Sequence, residues 1–220
     1  MKEVVKLVDK SKRYTLDEAI AILKKSPHPK FNESVDISFK LNIDPKASIG
    51  VRGTVALPHG TGKNVKVAVF CKGEAESKAK AAGAEFVGGS DLVEKVSGGW
   101  CDFDVAIATP EMMRDMGRLG KILGPRGLMP NPKAGTVTED VAKAIKEVRA
   151  GKVEFRMDKQ GNVHVPVGKI SFEEKALKEN AASLIDAVIA AKPQGAKGEF
   201  VKGLSISSTM GPGLKLNVKT

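Results

Sequence analysis

Ser34-Val35-Asp36-Ile37-Ser38-Phe39-Lys40-Leu41-Asn42-Ile43 alternates apolar and polar residues without a break. Val35, Ile37, Phe39, Leu41 and Ile43 share one face, and Asp36, Ser38, Lys40 and Asn42 share the other. Such alternation reads as a strand with one buried and one wet face, as in an antiparallel sheet backed by helices. Just upstream, Thr15 to Ser26 reads as a helix. Thr15 and Glu18 have the spacing of a capping box, and Leu16, Ala19, Ile20 and Leu23 fall on one helical face. Pro27 and Pro29 stop it. Downstream, Val51 to Leu57 reads as a second strand of the same kind.

The pattern changes at Pro58-His59-Gly60-Thr61-Gly62. Val65 to Cys71 is a short apolar strand, and Glu74 to Ala82 is an Ala-rich helix stopped by Gly83. Glu85 to Gly88 is a strand, Ser90 to Ser97 a helix ending at Gly98-Gly99, and Phe103 to Ala108 a third apolar strand. Glu111 to Met116 is helix-like. This β-α rhythm predicts a small parallel sheet with helices on its faces. Residues 117–135 read as a long Gly/Pro/Arg/Lys loop, functional or mobile by its length. Thr138 is placed to cap a helix to Ala150, with Val141, Ile145 and Val148 on one face.

After Gly151 the antiparallel character returns. Lys152–Asp158 and Asn162–Val167 read as a hairpin around Lys159-Gln160-Gly161. Ser171 with Glu174 suggests a second capping box, opening a helix that carries Leu177, Leu184, Ile185 and Val188 and stops at Pro193. Phe200–Ser208 and Leu214–Val218 read as a final hairpin. The simplest assembly is a split chain. Residues 1–60 plus 152–220 form a discontinuous α+β domain with an antiparallel sheet, and residues 61–151 form an inserted parallel α/β domain. Both crossings fall at glycines, which suits a hinge.

Composition narrows the function. The 220 residues carry 36 Lys plus Arg against 26 Asp plus Glu, a net charge of +10. Excess positive charge is the electrostatic footprint of nucleic-acid binding, though membranes and acidic partners also attract it. The charge is uneven: residues 61–151 hold 14 basic and 12 acidic residues, net +2, and the rest hold 22 and 14, net +8. The terminal domain is the better candidate for phosphate contact. Apolar residues at 41% suffice for a core, and aromatics at 5% are too few for a broad base-stacking platform. No apolar run is long enough for a transmembrane helix, and the first residues do not read as a signal peptide. The two cysteines, Cys71 and Cys101, suit a reducing cytosol and exclude a disulfide scaffold.

Catalytic and cofactor chemistry finds little support. A dinucleotide site wants G-x-G-x-x-G after the first parallel strand. The corresponding turn, Lys72-Gly73-Glu74-Ala75-Glu76-Ser77, has one glycine and two acids that would repel phosphate. Gly60-Thr61-Gly62-Lys63-Asn64 lacks phosphate-loop spacing and precedes a strand. No C-x-x-C or H-E-x-x-H spacing marks a metal site. His28, His59 and His164 are scattered, and either RNA contact or hydrogen-bonded surface positions would suit them. No nucleophile elbow is present. No catalytic residue, metal or cofactor is therefore expected.

Three segments rise above this background. In Lys30-Phe31-Asn32-Glu33-Ser34, Phe31 falls outside the inward pattern of the following strand; a nucleic-acid contact and a hydrophobic plug at a domain edge remain open. Ser205, Ser207 and Thr209 present a hydroxyl row leading to Met210 and Gly211. Hydroxyls and close backbone suit ribose 2′-OH and phosphate, and an ordinary wet sheet face is the alternative. Arg118, Lys121, Arg126 and Lys133 stand among glycines and prolines in 117–135, a loop able to wrap RNA or protein or to form a rigid surface turn.

A family resemblance is carried by the run Gly120-Lys121-Ile122-Leu123-Gly124-Pro125-Arg126-Gly127-Leu128-Met129-Pro130-Asn131-Pro132-Lys133-Ala134-Gly135-Thr136-Val137. Residues 51–60, 98–104, 192–198 and Thr209-Met210-Gly211-Pro212-Gly213 match in order. The chain resembles the ribosomal protein L-one family, the side-stalk protein of the large ribosomal subunit, in its bacterial form. The resemblance implies a discontinuous terminal domain bearing the main RNA surface and an inserted Rossmann-like domain. It implies a non-enzymatic, cytoplasmic, ribosome-associated protein, monomeric off the ribosome, without a cofactor or membrane partner. The implied partners are the side stalk of large-subunit (23S) rRNA, the exit-site tRNA whose release it assists, and its own operon mRNA, which it represses. Lys30, Phe31, Glu33 and Ser34 match the family's first RNA-contact segment, and Ser207, Thr209, Met210 and Gly211 its second. Arg52, Arg156, Lys159, His164, Lys169 and Ser205 are supporting contacts, and Arg118, Lys121, Arg126 and Lys133 a secondary one. Two departures stand out: Ser34 where Thr is common, and Gly203 where Ser is often seen. The rival reading is a nucleotide- or NAD-dependent enzyme using the inserted domain.

Overall fold

A computed structural model of the chain describes residues 8–9, 12–27, 29–43, 50–193 and 199–217. Two units emerge, Met1–Gly62 with Gly151–Thr220, and Lys63–Ala150.

In the first unit, the alternating segment forms β1 (Ser34–Leu41), with Val35, Ile37, Phe39 and Leu41 buried. It is an inner strand. β7 (Asn162–Lys169) pairs antiparallel on one side and β8 (Val201–Ser208) on the other, and the short β9 (Leu214–Lys215) lies beyond β8. α1 (Leu16–Lys25) and α7 (Glu174–Ala190) supply Ala19, Ile20 and Leu23, and Leu177, Ala181, Leu184 and Val188, to the core beneath the sheet. The capping box at Thr15 is complete: its hydroxyl accepts from the Glu18 N–H, and the Glu18 carboxylate accepts from the Thr15 N–H at 3.0 Å.

β2 (Arg52–Ala56) and β6 (Lys152–Arg156) form a separate two-stranded sheet, in register from Arg52↔Arg156 to Ala56↔Lys152. The Leu57 N–H extends it, donating to the Gly151 carbonyl at 3.1 Å. The two strands are one hairpin whose connection is the entire second unit. Gly151 makes the closure possible: its φ is +101°, and a Cβ there would lie 2.4 Å from Gly60 Cα. The Asn180 side chain, wholly buried, binds the same corner. It accepts from the His59 N–H at 3.0 Å and donates to the Gly60 and Val167 carbonyls at 2.9 and 2.8 Å.

Several expectations need correction in this unit. Lys152–Asp158 and Asn162–Val167 are joined by a tight turn but do not pair as a hairpin, because β6 belongs to β2 and β7 to β1. The turn is built by Asp158, whose Oδ1 accepts from the N–H groups of Gln160 and Asn162 at 2.8 and 2.7 Å. Ser171 and Glu174 form no capping box: α7 starts from Glu173 without a side-chain cap bond. The Ser171 hydroxyl instead accepts from the Asn32 amide at 3.0 Å. The last hairpin is present, though Val218 lies outside the described residues, as do His28 and Gln194–Gly198.

In the second unit, β3 (Val67–Phe70) lies between β4 (Phe86–Gly88) and β5 (Val105–Ala108), all parallel. Every β3 residue is buried because both faces are covered. Ala68 and Phe70 meet Leu92 and Val96 of α3 (Ser90–Ser97) and Met112, Met116, Leu119 and Leu123. Val67 and Val69 meet Ala79 of α2 (Glu74–Ala81) and the apolar face of α6 (Val141–Arg149). The α6 cap is Asp140 rather than Thr138; the Thr138 hydroxyl accepts from the Asp140 N–H at 3.1 Å, one step outside the helix.

The start of 117–135 is also not a loop. A 3-10 turn (Pro110–Met112), α4 (Met113–Met116), a second 3-10 turn (Gly117–Leu119) and α5 (Gly120–Leu123) follow one another directly. Met112, Met116, Leu119 and Leu123 recur at helical spacing and are buried. The segment returns through a third 3-10 turn (Pro132–Ala134), and a parallel bridge from Val137 to Ala108 ties it to the sheet.

Two stability predictions follow from this packing. Asn180→Ala strands one N–H and two carbonyls. Urea denaturation is expected to show a loss on the order of 3 kcal/mol. Gly120 has ordinary helical angles and nothing within 4 Å of where a Cβ would stand. Gly120→Ala is expected to raise the unfolding free energy by about 0.5–1 kcal/mol, read in the same titration.

Candidate nucleic-acid interface

β1 begins at Ser34 and antiparallel β8 ends at Ser208, so the segments before the one and after the other are neighbours; Val35 faces Ser208 in register. Residues 30–34 and 207–211 are thereby brought together from opposite ends of the chain. The Thr209 N–H donates to the Ser34 carbonyl at 3.1 Å. The Thr209 hydroxyl accepts from the Ser34 N–H at 3.1 Å and donates to the Ser34 carbonyl at 3.3 Å. Glu33 is only 1% exposed, and its carboxylate accepts from the Met210 N–H at 2.8 Å. On either side of this clasp two large apolar side chains face solvent, Phe31 at 52% exposure and Met210 at 60%. They rank among the few exposed large hydrophobics of the described residues, and an exposed apolar patch marks a contact site.

The polar surroundings are ordered by the sheet. Lys169 faces Ser34 in register, and its ammonium donates to the Ser34 hydroxyl at 2.8 Å. Lys30 is exposed. Ser207 faces Asp36, and Ser205 faces Ser38, whose hydroxyl lies 2.9 Å from His164 Nδ1. Burial pushes the Asp36 carboxyl above its ordinary pKa, while the nearby charges of Lys169 and His164 pull the other way. Gly211 has an internal reason beyond ligand access: a Cβ there would lie 2.3 Å from the Ser208 hydroxyl oxygen. Ser208 itself was not singled out in the sequence. Its signal is a polar residue at an inward position of β8, after buried Leu204 and Ile206.

Other expected contacts are elsewhere. Arg52 and Arg156 face each other on the β2–β6 ribbon, not on the four-stranded sheet, and Arg52 is ion-paired with Glu154. Lys159 is exposed in the turn between β6 and β7. Arg118, Lys121 and Arg126 are exposed in the second unit, and the side chain of Lys133 lies outside the described residues.

Burial raises the Cys71 thiol, with Glu76 adding to the effect, which keeps it protonated and inert. Among the described residues, no cluster of His, Cys, Asp and Glu could hold a metal ion. Among them, too, no helix is long and apolar enough to cross a membrane.

Comparison with known proteins places these features in context. The model of the ribosomal protein L1p/L10e family matches residues 23–212. The chain is similar to the large ribosomal subunit protein uL1 of Kosmotoga olearia, 57% identical over 98% of this chain and 94% of that protein. It is also similar to the large ribosomal subunit protein uL1 of Protochlamydia amoebophila, 54% identical over 100% of this chain and 93% of that protein.

The raised carboxyl on the outer face has a pH consequence. A carboxyl whose folded pKa exceeds its unfolded value makes the fold less stable as pH rises through the window between them, here from 3.8 upward. The Asp36→Asn variant is therefore expected to melt above wild type at neutral pH. The difference should close as pH falls below the ordinary carboxyl range, as followed by circular dichroism.

Proposed function

Because the chain belongs to the ribosomal protein L1p/L10e family, we propose that it is a structural constituent of the large ribosomal subunit whose terminal domain, 1–60 with 152–220, docks on the side-stalk region of the large-subunit rRNA. As a ribosomal structural protein it is not an enzyme. The observation that carries the RNA reading is the clasp of Glu33 and Ser34 with Thr209 and Met210, flanked by exposed Phe31 and Met210.

Phe31 and Met210 supply apolar area for sugars and base faces. The Thr209 hydroxyl and the backbone around Gly211 present groups suited to ribose 2′-OH and phosphate. The narrow major groove of A-form RNA is closed to side chains, so shape and 2′-OH contacts carry recognition. Lys30 and Lys169, with His164, Lys159, Arg52 and Arg156 further out, supply salt-dependent attraction to phosphate. Arg118, Lys121, Arg126 and Lys133 supply a secondary contact from the inserted domain. On this reading the protein works in the cytoplasm on the ribosome, helps exit-site tRNA leave, and represses its own operon by binding a similar fold in the messenger. It is a monomer when free.

The test is binding of the full chain to the stalk-region rRNA fragment and to a random hairpin, each at two salt concentrations. A preference for the fragment that survives the higher salt is expected; equal, salt-abolished binding to both would sink the reading. Thr209→Val is close in volume but removes the hydroxyl, and with it both of its bonds to Ser34 as well as any contact to RNA. Isothermal titration with the fragment is expected to show a loss of about 1–3 kcal/mol. An unchanged affinity would remove Thr209 from the interface.

A further inference from the structure

The outer face of the four-stranded sheet continues well past the Phe31–Met210 patch. From Ser34 to Lys40 along β1 is about 20 Å of strand. At that far end a groove of about 710 Å³ opens, lined by Arg13, Lys40, His164, Lys202, Ser205 and Lys215 among others. The sheet register assembles it. Lys40 faces Gly203, Ser38 stands between His164 and Ser205, and Ser205 faces Lys215 across to β9. Gly203 keeps its floor low: a Cβ there would meet only Lys40 Cβ, at 3.7 Å.

No acidic residue among those described lines this groove. Among the described residues no carboxylate pairs with Arg13, Lys202 or Lys215, although Arg52, Lys63, Lys66 and Lys178 elsewhere each have one. The ammonium of Lys40 is held in place by the Gln160 carbonyl at 2.7 Å. A concave surface with several like charges, three of them without a carboxylate partner among the described residues, is complementary to a polyanion. Its hydroxyls and imidazole suit phosphate and sugar oxygens, and no exposed large hydrophobic side chain lines it to suggest an apolar partner.

We propose that this groove is a second RNA-contact site, which takes the phosphate backbone of the RNA beyond the segment held at the Phe31–Met210 patch. One RNA then spans the whole sheet face, with the patch selecting it and the groove holding its backbone. The proposal rests on the RNA reading above and adds Arg13, Lys40, Lys202 and Lys215 to it.

The test uses the full chain with Arg13→Gln, Lys202→Gln and Lys215→Gln combined. Its affinity for the stalk-region fragment is followed against salt. Three lost phosphate contacts are expected to make the log–log salt slope shallower by about 2 and to weaken binding at least ~10-fold at moderate salt. Phe31→Ala is expected to weaken binding without changing the slope, because it removes no charge. A control with the same charge loss on the helical side, Lys24→Gln, Lys25→Gln and Lys175→Gln, is expected to move the slope by less than about 1. An equal change in the control overturns the groove, since net charge alone would then be acting. Unchanged affinity and slope in the groove variant, with wild type still choosing the fragment, also overturns it and leaves the patch standing; an acidic protein as the true occupant would give that result. A wild type that binds fragment and random hairpin alike overturns the RNA reading and the groove together.

Discussion

The pairing of β1 between β7 and β8 is the constraint from which the first unit follows. Its residues come from the start of the chain and its partners from beyond the whole second unit, as in Ser34↔Lys169 and Val35↔Ser208. Closing so long a loop costs entropy that grows only with the logarithm of its length, so the arrangement is thermodynamically tolerable. It is kinetically slow in principle, because non-local pairs must form before they are rewarded. Once β1 is seated, its inward residues define the face that α1 and α7 cover. Its outward residues define the exposed polar face, and its first residue fixes where segments 30–34 and 207–211 touch.

That last contact lies beside the exposed Phe31 and Met210 in the sequence. Met210 is attached to backbone that the Glu33 carboxylate already holds, and Phe31 stands two residues before Glu33. A ligand that packs against Met210 meets backbone whose ordering entropy was lost during folding, so less is lost at binding. Burying Glu33 is tolerable because its carboxyl group accepts from the Met210 N–H, and a hydrogen bond is stronger in a low-dielectric setting.

Much of this was legible in the sequence where one physical signal acted alone. β1 was readable because strict alternation has a single interpretation, and the parallel unit because short apolar runs alternated with helical ones. Errors arose where a local pattern had two outcomes. Asp158 to Gly161 is good turn chemistry, yet a turn says nothing about whether its flanking strands pair with each other or with strands elsewhere. The Met112, Met116, Leu119, Leu123 period was present but masked by the glycines at 117, 120 and 124. Thr138 and Ser171 are residue types that cap helices, and in both cases the helix starts further on. At the interface, Phe31 was visible as an apolar residue out of phase. The burial of Glu33 and the Ser208 contact behind Gly211 depend on a partner far away in sequence, which no local window contains.

The β2–β6 ribbon has one more consequence. Because Gly60 and Gly151 lie against each other and Leu57 bonds across to Gly151, the ribbon closes on itself as it would around a tight turn. Nothing in the ribbon's register records how many residues lie between the two glycines. Evolution can therefore lengthen, shrink or exchange the inserted module as a cassette, provided its entry and exit points stay side by side.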